Sequence, residues 1–442
     1  MRVIDPATEE EIAVVEAGSP DEVVAQAKRA FEPWRRVSPG DRAKLLRRFA
    51  SVVDSHIEEL AQLEVRNAGH TIGNARWEAG NVRDLLDYYS GAPERLCGRQ
   101  IPVAGGWDVT FHEPLGVVGV IVPWNFPMPI AGWGFAPALA AGNTVVVKPA
   151  ELTPLTALRL GELALEAGLP EGVLNILPGH GSEVGRALVA HPDVRKICFT
   201  GSVEVGKQIM AACAADLTRV TLELGGKSAT VLFADADLGK AAAALPGAVF
   251  DNAGQDCCAR SRLLVQRPVY DEFLALLEPH VLGWECGSSS SADMGPLISA
   301  SQREHVASYV DNPLIQGEVP TGKGFWFPAT VIEASARDRH WREEVFGPVL
   351  SVMPFDTEEE AVRLANGTPF GLSGSIWTRD LGKALRVSRA VEAGVLSVNS
   401  HSSVRYWTPF GGVKQSGLGR ELGPDAPLAF TDTKNVFLSA ED

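Results

Sequence analysis

The sequence predicts an α/β protein with more than one domain. Short β-branched runs alternate with longer stretches rich in Ala, Leu and Glu through the middle of the chain, and the alternation starts again after Glu223. This pattern is typical of βα units that feed a largely parallel sheet. Because 442 residues exceed what one compact core usually holds, we expect a doubly wound, Rossmann-type sheet followed by a second α/β domain.

The first series of elements precedes Glu223. Its strand candidates are residues 117–122, 144–147, 173–177 and 196–199. Helices are expected to begin near Pro129, Thr153, Ser182 and Ser202, each opened by a capping residue or an early proline. Residues 115–147 carry no charged side chain, but their prolines and glycines would repeatedly break a spanning helix. This segment is therefore predicted to be a buried strand, helix and strand.

The second series follows Glu223. Strands are predicted at residues 229–233, 262–265, 349–354, 374–377 and 394–398. Helical stretches are predicted at residues 237–254, where Pro246 would introduce a kink, and at residues 357–365. A second α/β domain is the simplest account of this alternation.

Charge and cysteine usage exclude several classes of function. The formal net charge is -15, from 55 acidic and 40 basic side chains, which disfavours binding to nucleic acid or to an anionic membrane. A small-molecule partner is expected instead. The six cysteines show neither CxxC nor Cys/His metal spacing, so we expect no metal site, no disulfide framework and reduced thiols in the cytoplasm.

Three side chains are candidates for chemistry. Cys257 follows a glycine-containing turn that would expose its sulfur and direct backbone N–H groups at a reacting oxygen. Glu223 ends an apolar strand, where burial would raise its pKa toward the range of a general base. Asn125 lies between Pro123 and Pro127 in a loop that can direct its amide at an oxyanion. Each also fits a structural role, as a buried cysteine, a salt-bridged strand end or an Asn turn.

Six segments, in order and over nearly the whole chain, resemble the aldehyde dehydrogenase family. They are KPAE at residues 148–151, FTGSVEVG at 199–206, LELGGK at 222–227, FDNAGQDC at 250–257, EVFGP at 344–348 and PFGG at 409–412. The resemblance is strongest to the betaine-aldehyde and aminoaldehyde type. It implies that Cys257 attacks the aldehyde as a thiolate, that Asn125 and the Cys257 backbone N–H hold the oxyanion, and that Glu223 activates the water that hydrolyses the thioester.

The resemblance also implies a set of cofactor-binding residues. They are Trp124, Lys148, Glu151, Gly201, Ser202, Gly206, Leu224, Glu344 and Phe346. Lys148 and Glu151 would bind the adenosine ribose, and the Glu151 carboxylate would repel a 2′-phosphate, which favours NAD over NADP. The turn at Gly201 would offer backbone N–H groups to the pyrophosphate. Glu344 would bind the nicotinamide ribose, and Phe346 would pack against the ring.

The substrate pocket is expected near Asn125 and just before the PFGG segment. By resemblance its lining is Phe126, Trp133, Cys258, Ser400, Tyr406, Trp407 and Phe410. Aromatic rings of this kind can enclose a cationic amine or a trimethylammonium group. His401 and Arg405 lie in the same loop and could instead attract the carboxylate of a semialdehyde or a phosphonate, or simply face solvent.

The resemblance further implies a domain plan and an oligomer. Residues 1–96 and 114–225 would form the cofactor-binding domain, and residues 226–415 the catalytic domain. Residues 97–113 and 430–442 would form a small β arm that pairs subunits into a homodimer or homotetramer and protects strand edges.

Two alternatives remain open. In a CoA-acylating semialdehyde dehydrogenase the thioester would pass to CoA rather than to water, and the presence of Glu223 argues against this reaction. In a different class, the chain would be a catalytically idle NAD-binding or structural relative, and the combination of Cys257, Glu223 and Asn125 argues against that.

Overall fold

The structure is a computed structural model that describes residues 1–402 and 404–440. Residues 441 and 442 of the predicted arm lie outside the described residues. The first hundred residues form a hairpin and four helices. These elements are β1 (Arg2–Ile4), β2 (Glu11–Val14), α1 (Pro20–Arg35), α2 (Pro39–Ser55), α3 (Ile57–Ala68) and α4 (Ile72–Ser90). Ser19, Ser38 and Thr71 cap α1, α2 and α4 by accepting a backbone N–H in the first turn.

The next segment alternates strands and helices up to Glu223. Its elements are β3 (Gln100–Val103), β4 (Gly106–Pro114), β5 (Val117–Ile121), α5 (Pro127–Ala140), β6 (Thr144–Lys148), α6 (Leu155–Glu166), β7 (Leu174–Ile176), α7 (Arg186–Val189), β8 (Val194–Gly201), α8 (Val203–Cys213) and β9 (Arg219–Leu224). The uncharged segment forms β5, α5 and β6, almost wholly buried, as the sequence predicts. Among the described residues, no helix has both the length and the apolar character needed to cross a membrane.

The second half of the chain repeats the alternation. Its elements are β10 (Ala229–Leu232), α9 (Leu238–Val249), β11 (Arg262–Gln266), α10 (Tyr270–Leu282), α11 (Ala300–Ala307), β12 (Ile315–Gln316), β13 (Thr330–Glu333), α12 (Arg339–Arg342), β14 (Val349–Phe355), α13 (Glu358–Ala365), β15 (Ser373–Trp377), α14 (Leu381–Ala390), β16 (Val395–Val398), β17 (Gly417–Leu418) and β18 (Thr431–Ser439).

Two large sheets organise these elements. The six-stranded sheet has the order β17-β9-β8-β5-β6-β7 and is parallel except for β17. The seven-stranded sheet has the order β12-β13-β14-β11-β10-β15-β16 and is parallel except for β12. The carboxyl ends of β5, β6, β8 and β9 lead into the loops that carry the predicted site residues. In open α/β sheets this is the edge where ligands bind.

The predicted helix at residues 237–254 is too long. Helix α9 ends at Val249, and Asn252 and Ala253 adopt left-handed backbone angles instead. A right-handed helix cannot continue through such residues. The prediction failed because the composition of the segment does not reveal that the Asn252 side chain donates to Asn125 on another loop and to Gln255 within the same turn.

Strands β3, β4 and β18 form a separate antiparallel sheet with the order β18-β4-β3. Several of its large apolar side chains are exposed, namely Ile101, Trp107, Phe111, Phe437 and Leu438. Strands β3 and β18 fall within the segments predicted to be the arm, and β4 ends at Pro114, one residue beyond the first segment. The boundaries of the arm remain a prediction.

Candidate active site

Cys257 belongs to a turn that follows α9, here called the thiol turn (residues 251–258). Asn252, Ala253 and Gly254 have φ values of 50°, 53° and 67°, a region that alanine normally avoids. Cys257 is half-buried. Its thiol hydrogen-bonds with that of Cys258, and this contact together with burial raises the pKa of Cys257 well above its ordinary value. The sulfur is therefore held as a thiol until a base removes its proton.

The Asn125 side chain reaches the thiol turn from the loop after β5. Its Nδ2 donates to the carbonyl oxygen of Gln255 over 2.8 Å. In return, Nδ2 of Asn252 donates to the carbonyl oxygen of Asn125 over 2.9 Å. Asn125 is buried. The amide and the thiol that the sequence assigns to one reaction therefore belong to loops that are directly bonded to each other.

Glu223 lies near the end of β9, where the chain enters a pair of glycines. It is 3% exposed, and neither oxygen of its carboxylate accepts a well-formed hydrogen bond from the described residues. Burial, and next the carboxyl of Glu421, raise the pKa of Glu223 well above the ordinary 4.5. A Cβ on Gly226 would lie 2.4 Å from the Cys257 carbonyl oxygen, so this loop packs directly on the thiol turn. A buried carboxyl group with a raised pKa in this position has the properties of a general base.

Glu421 is a buried carboxyl group that the sequence reasoning missed. It is 6% exposed, and its backbone pairs with that of Phe410 over 2.7 and 2.8 Å. Burial raises the pKa of Glu421 to about 7, while nearby Lys196 opposes the rise. A single acidic residue in a glycine- and arginine-rich stretch resembles a surface turn, so no local pattern indicated that Glu421 is buried beside Glu223.

Lys148 and Glu151 form a pair at the carboxyl end of β6. Lys148 is buried, and its Nζ donates to the Pro149 carbonyl oxygen over 2.9 Å and to Glu151 Oε2 over 3.4 Å. Burial lowers the pKa of Lys148. The other oxygen of Glu151 lies 4.0 Å from Nδ1 of His180. A cation and a carboxylate are thus held together at the binding edge of the six-stranded sheet.

The connection from β8 to α8 carries Gly201 and Ser202. The Ser202 hydroxyl caps α8 by accepting the Val205 N–H over 3.3 Å. A Cβ on Gly206 would lie 2.6 Å from a methyl group of Leu224, so glycine allows α8 to approach β9 closely. The remaining N–H groups of the first turn of α8 have the orientation that binds anions.

Glu344 and Phe346 approach from the loop before β14. The backbone N–H of Gly226 donates to Glu344 Oε1 over 2.8 Å, and burial raises the pKa of Glu344 to about 7. The Phe346 ring meets the Trp124 ring edge-on with a centroid separation of 5.3 Å. These contacts join loops from the two large sheets.

The predicted substrate-pocket residues divide into two groups. Phe126, Trp133, Cys258 and Phe410 pack in one apolar cluster that also contacts Cys257. The rings of Trp133 and Phe410 are 5.1 Å apart. These four residues and Cys257 therefore share one apolar cluster.

The second group lies at the surface. Trp407 is half exposed and Arg405 is exposed, while Tyr406 packs edge-on against Trp407 with centroids 4.5 Å apart. Tyr406, Trp407 and the exposed Trp77 border a groove of ≈ 480 Å³. The half-buried His401 accepts a hydrogen bond from Arg260 through its carbonyl oxygen. Ser400, in the same loop, is half-buried.

Comparison with known proteins agrees with this geometry. The sequence model described as the aldehyde dehydrogenase family matches residues 1–436. Betaine aldehyde dehydrogenase of Bacillus subtilis is 39% identical over 456 residues, which cover 98% of this chain and 93% of that protein. Phenylacetaldehyde dehydrogenase of Pseudomonas fluorescens is 41% identical over 466 residues, which cover 99% of this chain and 92% of that protein.

The structural comparison gives the same result. The crystal structure of betaine aldehyde dehydrogenase from Staphylococcus aureus in complex with NAD+ has a TM-score of 0.96 and 36% identity, and covers 99% of this chain and 91% of that one. The chain therefore belongs to the aldehyde dehydrogenase family and is an NAD(P)-dependent aldehyde dehydrogenase by class. The predicted fold class, a Rossmann-type α/β fold with a second α/β sheet and a small β arm, is confirmed. Relatives named for different aldehydes are about equally similar, so no subtype is favoured.

Proposed function

We propose that the chain oxidises an aldehyde of the aminoaldehyde, betaine aldehyde or semialdehyde type to its carboxylate with NAD, through a thioester on Cys257. The observation that carries the proposal is the convergence of three loops. The Asn125 amide is bonded to the thiol turn over 2.8 Å, and the loop after Glu223 packs on the carbonyl oxygen of Cys257.

In this reaction Glu223 first removes the thiol proton, directly or through water, because the raised pKa values of both groups keep Cys257 protonated at rest. The sulfur then adds to the carbonyl carbon. The free N–H of the Asn125 amide and the Cys257 backbone N–H stabilise the oxyanion. Glu223 then passes the thiol proton to solvent and, after oxidation, takes a proton from the water that attacks the thioester. The C–S bond breaks with the sulfur as leaving group, the carboxylate product departs, and the Cys257 sulfur regains a proton.

The donor set fits NAD. Lys148 and Glu151 offer an ammonium and a carboxylate to ribose hydroxyls, and the capped N-terminus of α8 offers N–H groups to a pyrophosphate. Glu344 offers a second carboxylate beside the Phe346 ring. Bound NAD supplies the acceptor for the hydride that leaves the substrate carbon. The carboxylate of Glu151 supports NAD over NADP, and the Staphylococcus aureus relative was solved with NAD+.

The aromatic cluster supports the choice of substrate class. Phe126, Trp133 and Phe410 belong to the apolar cluster on which Cys257 packs, and aromatic faces attract alkylammonium groups. The name of the Bacillus subtilis relative agrees with a cationic aldehyde. The exposed Arg405 supports a semialdehyde substrate instead, because its guanidinium could bind the carboxylate of such a substrate.

We also propose that the chain acts as a cytoplasmic homodimer or homotetramer. The exposed apolar side chains of the β18-β4-β3 sheet support this, because a second copy would remove them from water.

Cys257→Ala tests the assignment. It is expected to abolish aldehyde-dependent reduction of NAD while NAD binding, followed by fluorescence titration, is retained. Cys97→Ala is the matched control, since Cys97 is exposed and should leave turnover unchanged. Wild-type turnover by the Cys257→Ala protein would remove the proposal. Added CoA should not change the carboxylate product, which separates hydrolysis from transfer to CoA.

A further inference from the structure

We propose that Asn252 is a positioning residue that fixes the Asn125 amide relative to the backbone N–H of Cys257. The inference rests on the proposed function, because these two groups are the proposed donors to the oxyanion. Asn252 itself would touch neither the substrate nor the cofactor.

The contacts of Asn252 form a closed set. Its Nδ2 donates to the Asn125 carbonyl oxygen over 2.9 Å and to the Gln255 carbonyl oxygen over 3.3 Å. The same Gln255 oxygen accepts Nδ2 of Asn125 over 2.8 Å. Three residues on two loops are therefore bonded to one another, and Cys257 follows Gln255 by two positions in the chain.

The hydrogen count assigns different roles to the two amides. A primary amide has two N–H groups. Asn252 uses both on backbone carbonyl oxygens and has none left for a substrate. Asn125 uses one on Gln255, and its second remains for the oxyanion. This division makes Asn125 the group that binds and Asn252 the group that holds it.

The backbone around Asn252 leaves little freedom for adjustment. Its φ and ψ are 50° and 36°, angles that asparagine tolerates better than other residues with a side chain, apart from aspartate. Gly254 is packed so closely that a Cβ would lie 2.2 Å from the Gly347 carbonyl oxygen. The Gln255 side chain donates back to the Asn252 carbonyl oxygen over 3.1 Å and accepts the Ile298 N–H over 2.9 Å. The thiol turn thus packs against neighbouring loops, and the Asn252 side-chain amide hydrogen-bonds it to the loop that carries Asn125.

Two substitutions separate backbone conformation from hydrogen bonding. Asn252→Gly keeps the left-handed angles accessible and removes the amide. Asn252→Asp keeps size and shape but directs a carboxylate at two carbonyl oxygens. Asn312→Asp is the matched control, because Asn312 also has a left-handed φ of 50° and is exposed. Thermal unfolding verifies that each variant is folded.

Two reactions of the same sulfur provide the test. Acylation of Cys257 by p-nitrophenyl acetate passes through an oxyanion, whereas its alkylation by iodoacetamide, followed by peptide mass spectrometry, does not. We expect acylation to fall about tenfold in Asn252→Gly, because the Asn125 donor is displaced rather than removed. In Asn252→Asp we expect a fall of about a hundredfold, the lower end of the range found when an oxyanion donor is lost. Alkylation should stay within about twofold of wild type, since no donor to an oxyanion is involved. Aldehyde turnover should lose kcat with an unchanged KM for NAD.

Two results would overturn the inference. One is acylation at the wild-type rate in Asn252→Gly. The other is a parallel fall in acylation and alkylation, which would mean that Asn252 controls the thiol itself. Either result leaves the proposed function intact, because that function is decided separately by the Cys257→Ala protein.

Discussion

Two buried groups of acidic side chains differ in how their oxygens are paired. Near the thiol turn, Glu223 faces another carboxyl, Glu421, and neither of its own oxygens has a well-formed hydrogen bond to a described residue. Between α3 and α4, Glu64 and Glu78 are fully buried, yet each has one partnered oxygen. Glu78 Oε1 hydrogen-bonds with Nδ1 of His70, and Glu64 Oε1 accepts from Asn67 over 3.4 Å.

Burial raises the pKa of the carboxyl groups in both places, so a raised pKa alone does not identify a base. Among the described residues, the difference is that the Glu223 carboxylate has no well-formed hydrogen bond and that the loop after it packs on the thiol turn. Glu64, Glu78 and His70 instead lie next to the site, because the centroid of the His70 ring is 5.8 Å from that of the Phe126 ring. The comparison predicts that neutralising Glu223 removes activity, whereas neutralising Glu64 changes stability.

The largest effect is expected from Glu223→Gln. The amide cannot accept a proton, so both the deprotonation of Cys257 and the hydrolysis of the thioester should slow. We expect kcat to fall by about 10²-fold to 10⁴-fold, and acyl-enzyme to form more slowly than in wild type when the protein is mixed with aldehyde and NAD. In wild type Glu223 acts as a base only when it is deprotonated. Because its pKa is raised, kcat/KM should increase with pH in a range above pH 4.5. Quenched-flow mass spectrometry measures the acyl-enzyme, and a pH series measures the increase in kcat/KM.

The same variant should be more stable at alkaline pH. A carboxyl whose pKa is raised by folding destabilises the folded chain as pH increases from 4.5 through the folded pKa. Glutamine removes that cost, so the Tm of Glu223→Gln should equal or exceed that of wild type at about pH 8. Undiminished turnover, or a lower Tm at that pH, would contradict the role of an unpaired carboxylate.

The sequence predicted the reactive side chains that lie in recognisable motifs. It did not predict the side chains whose importance depends on contacts in the folded chain. Cys257, Glu223 and Asn125 lie in motifs whose order along the chain is distinctive. Most parallel strands of both sheets follow β-branched runs, whereas the short edge strands β12 and β17 do not. Glu421 was missed because its burial depends on pairing with Phe410 across a turn. Asn252 was missed because its partner Asn125 lies on another loop, 127 positions away in the chain. Contacts between distant segments have no local pattern in the sequence.

A smaller effect is expected from Glu64→Gln. Burial raises the pKa of Glu64 to about 8, and although burial alone would lower that of His70, Glu78 raises it to about 9. Both groups hold a proton more tightly when folded. The stability they provide is therefore complete at acidic pH and is lost as pH rises from 4.5 toward 8 for Glu64, and from 6.5 toward 9 for His70.

Wild type should thus lose a few degrees of Tm between about pH 7 and about pH 9, and Glu64→Gln should lose less, because its amide needs no proton. Its kcat should stay within about threefold of wild type, since the group does not touch the substrate. If the Tm of Glu64→Gln fell as steeply with pH as that of wild type, the loss of stability would come from groups other than Glu64. A collapse of kcat without a change in Tm would place Glu64 in the chemistry.

The smallest effect is expected from Trp407→Ala. Trp407 is 50% exposed and packs against Tyr406, so solvent screens any contact with a cation and limits it to about 0.5–1 kcal/mol. The KM for betaine aldehyde should rise about twofold to fivefold, since 1.4 kcal/mol corresponds to a factor of ten. The neutral isostere 3,3-dimethylbutanal should be affected less, and kcat should be unchanged for both aldehydes.

Trp77→Ala, at the other exposed tryptophan of the groove, is the matched variant. Equal increases in KM for the two aldehydes would show an apolar contact rather than a cationic one. Unchanged KM values would show that Trp407 does not contact the substrate. The substrate pocket would then consist of Phe126, Trp133, Cys258 and Phe410 of the buried cluster, which alone would select the substrate.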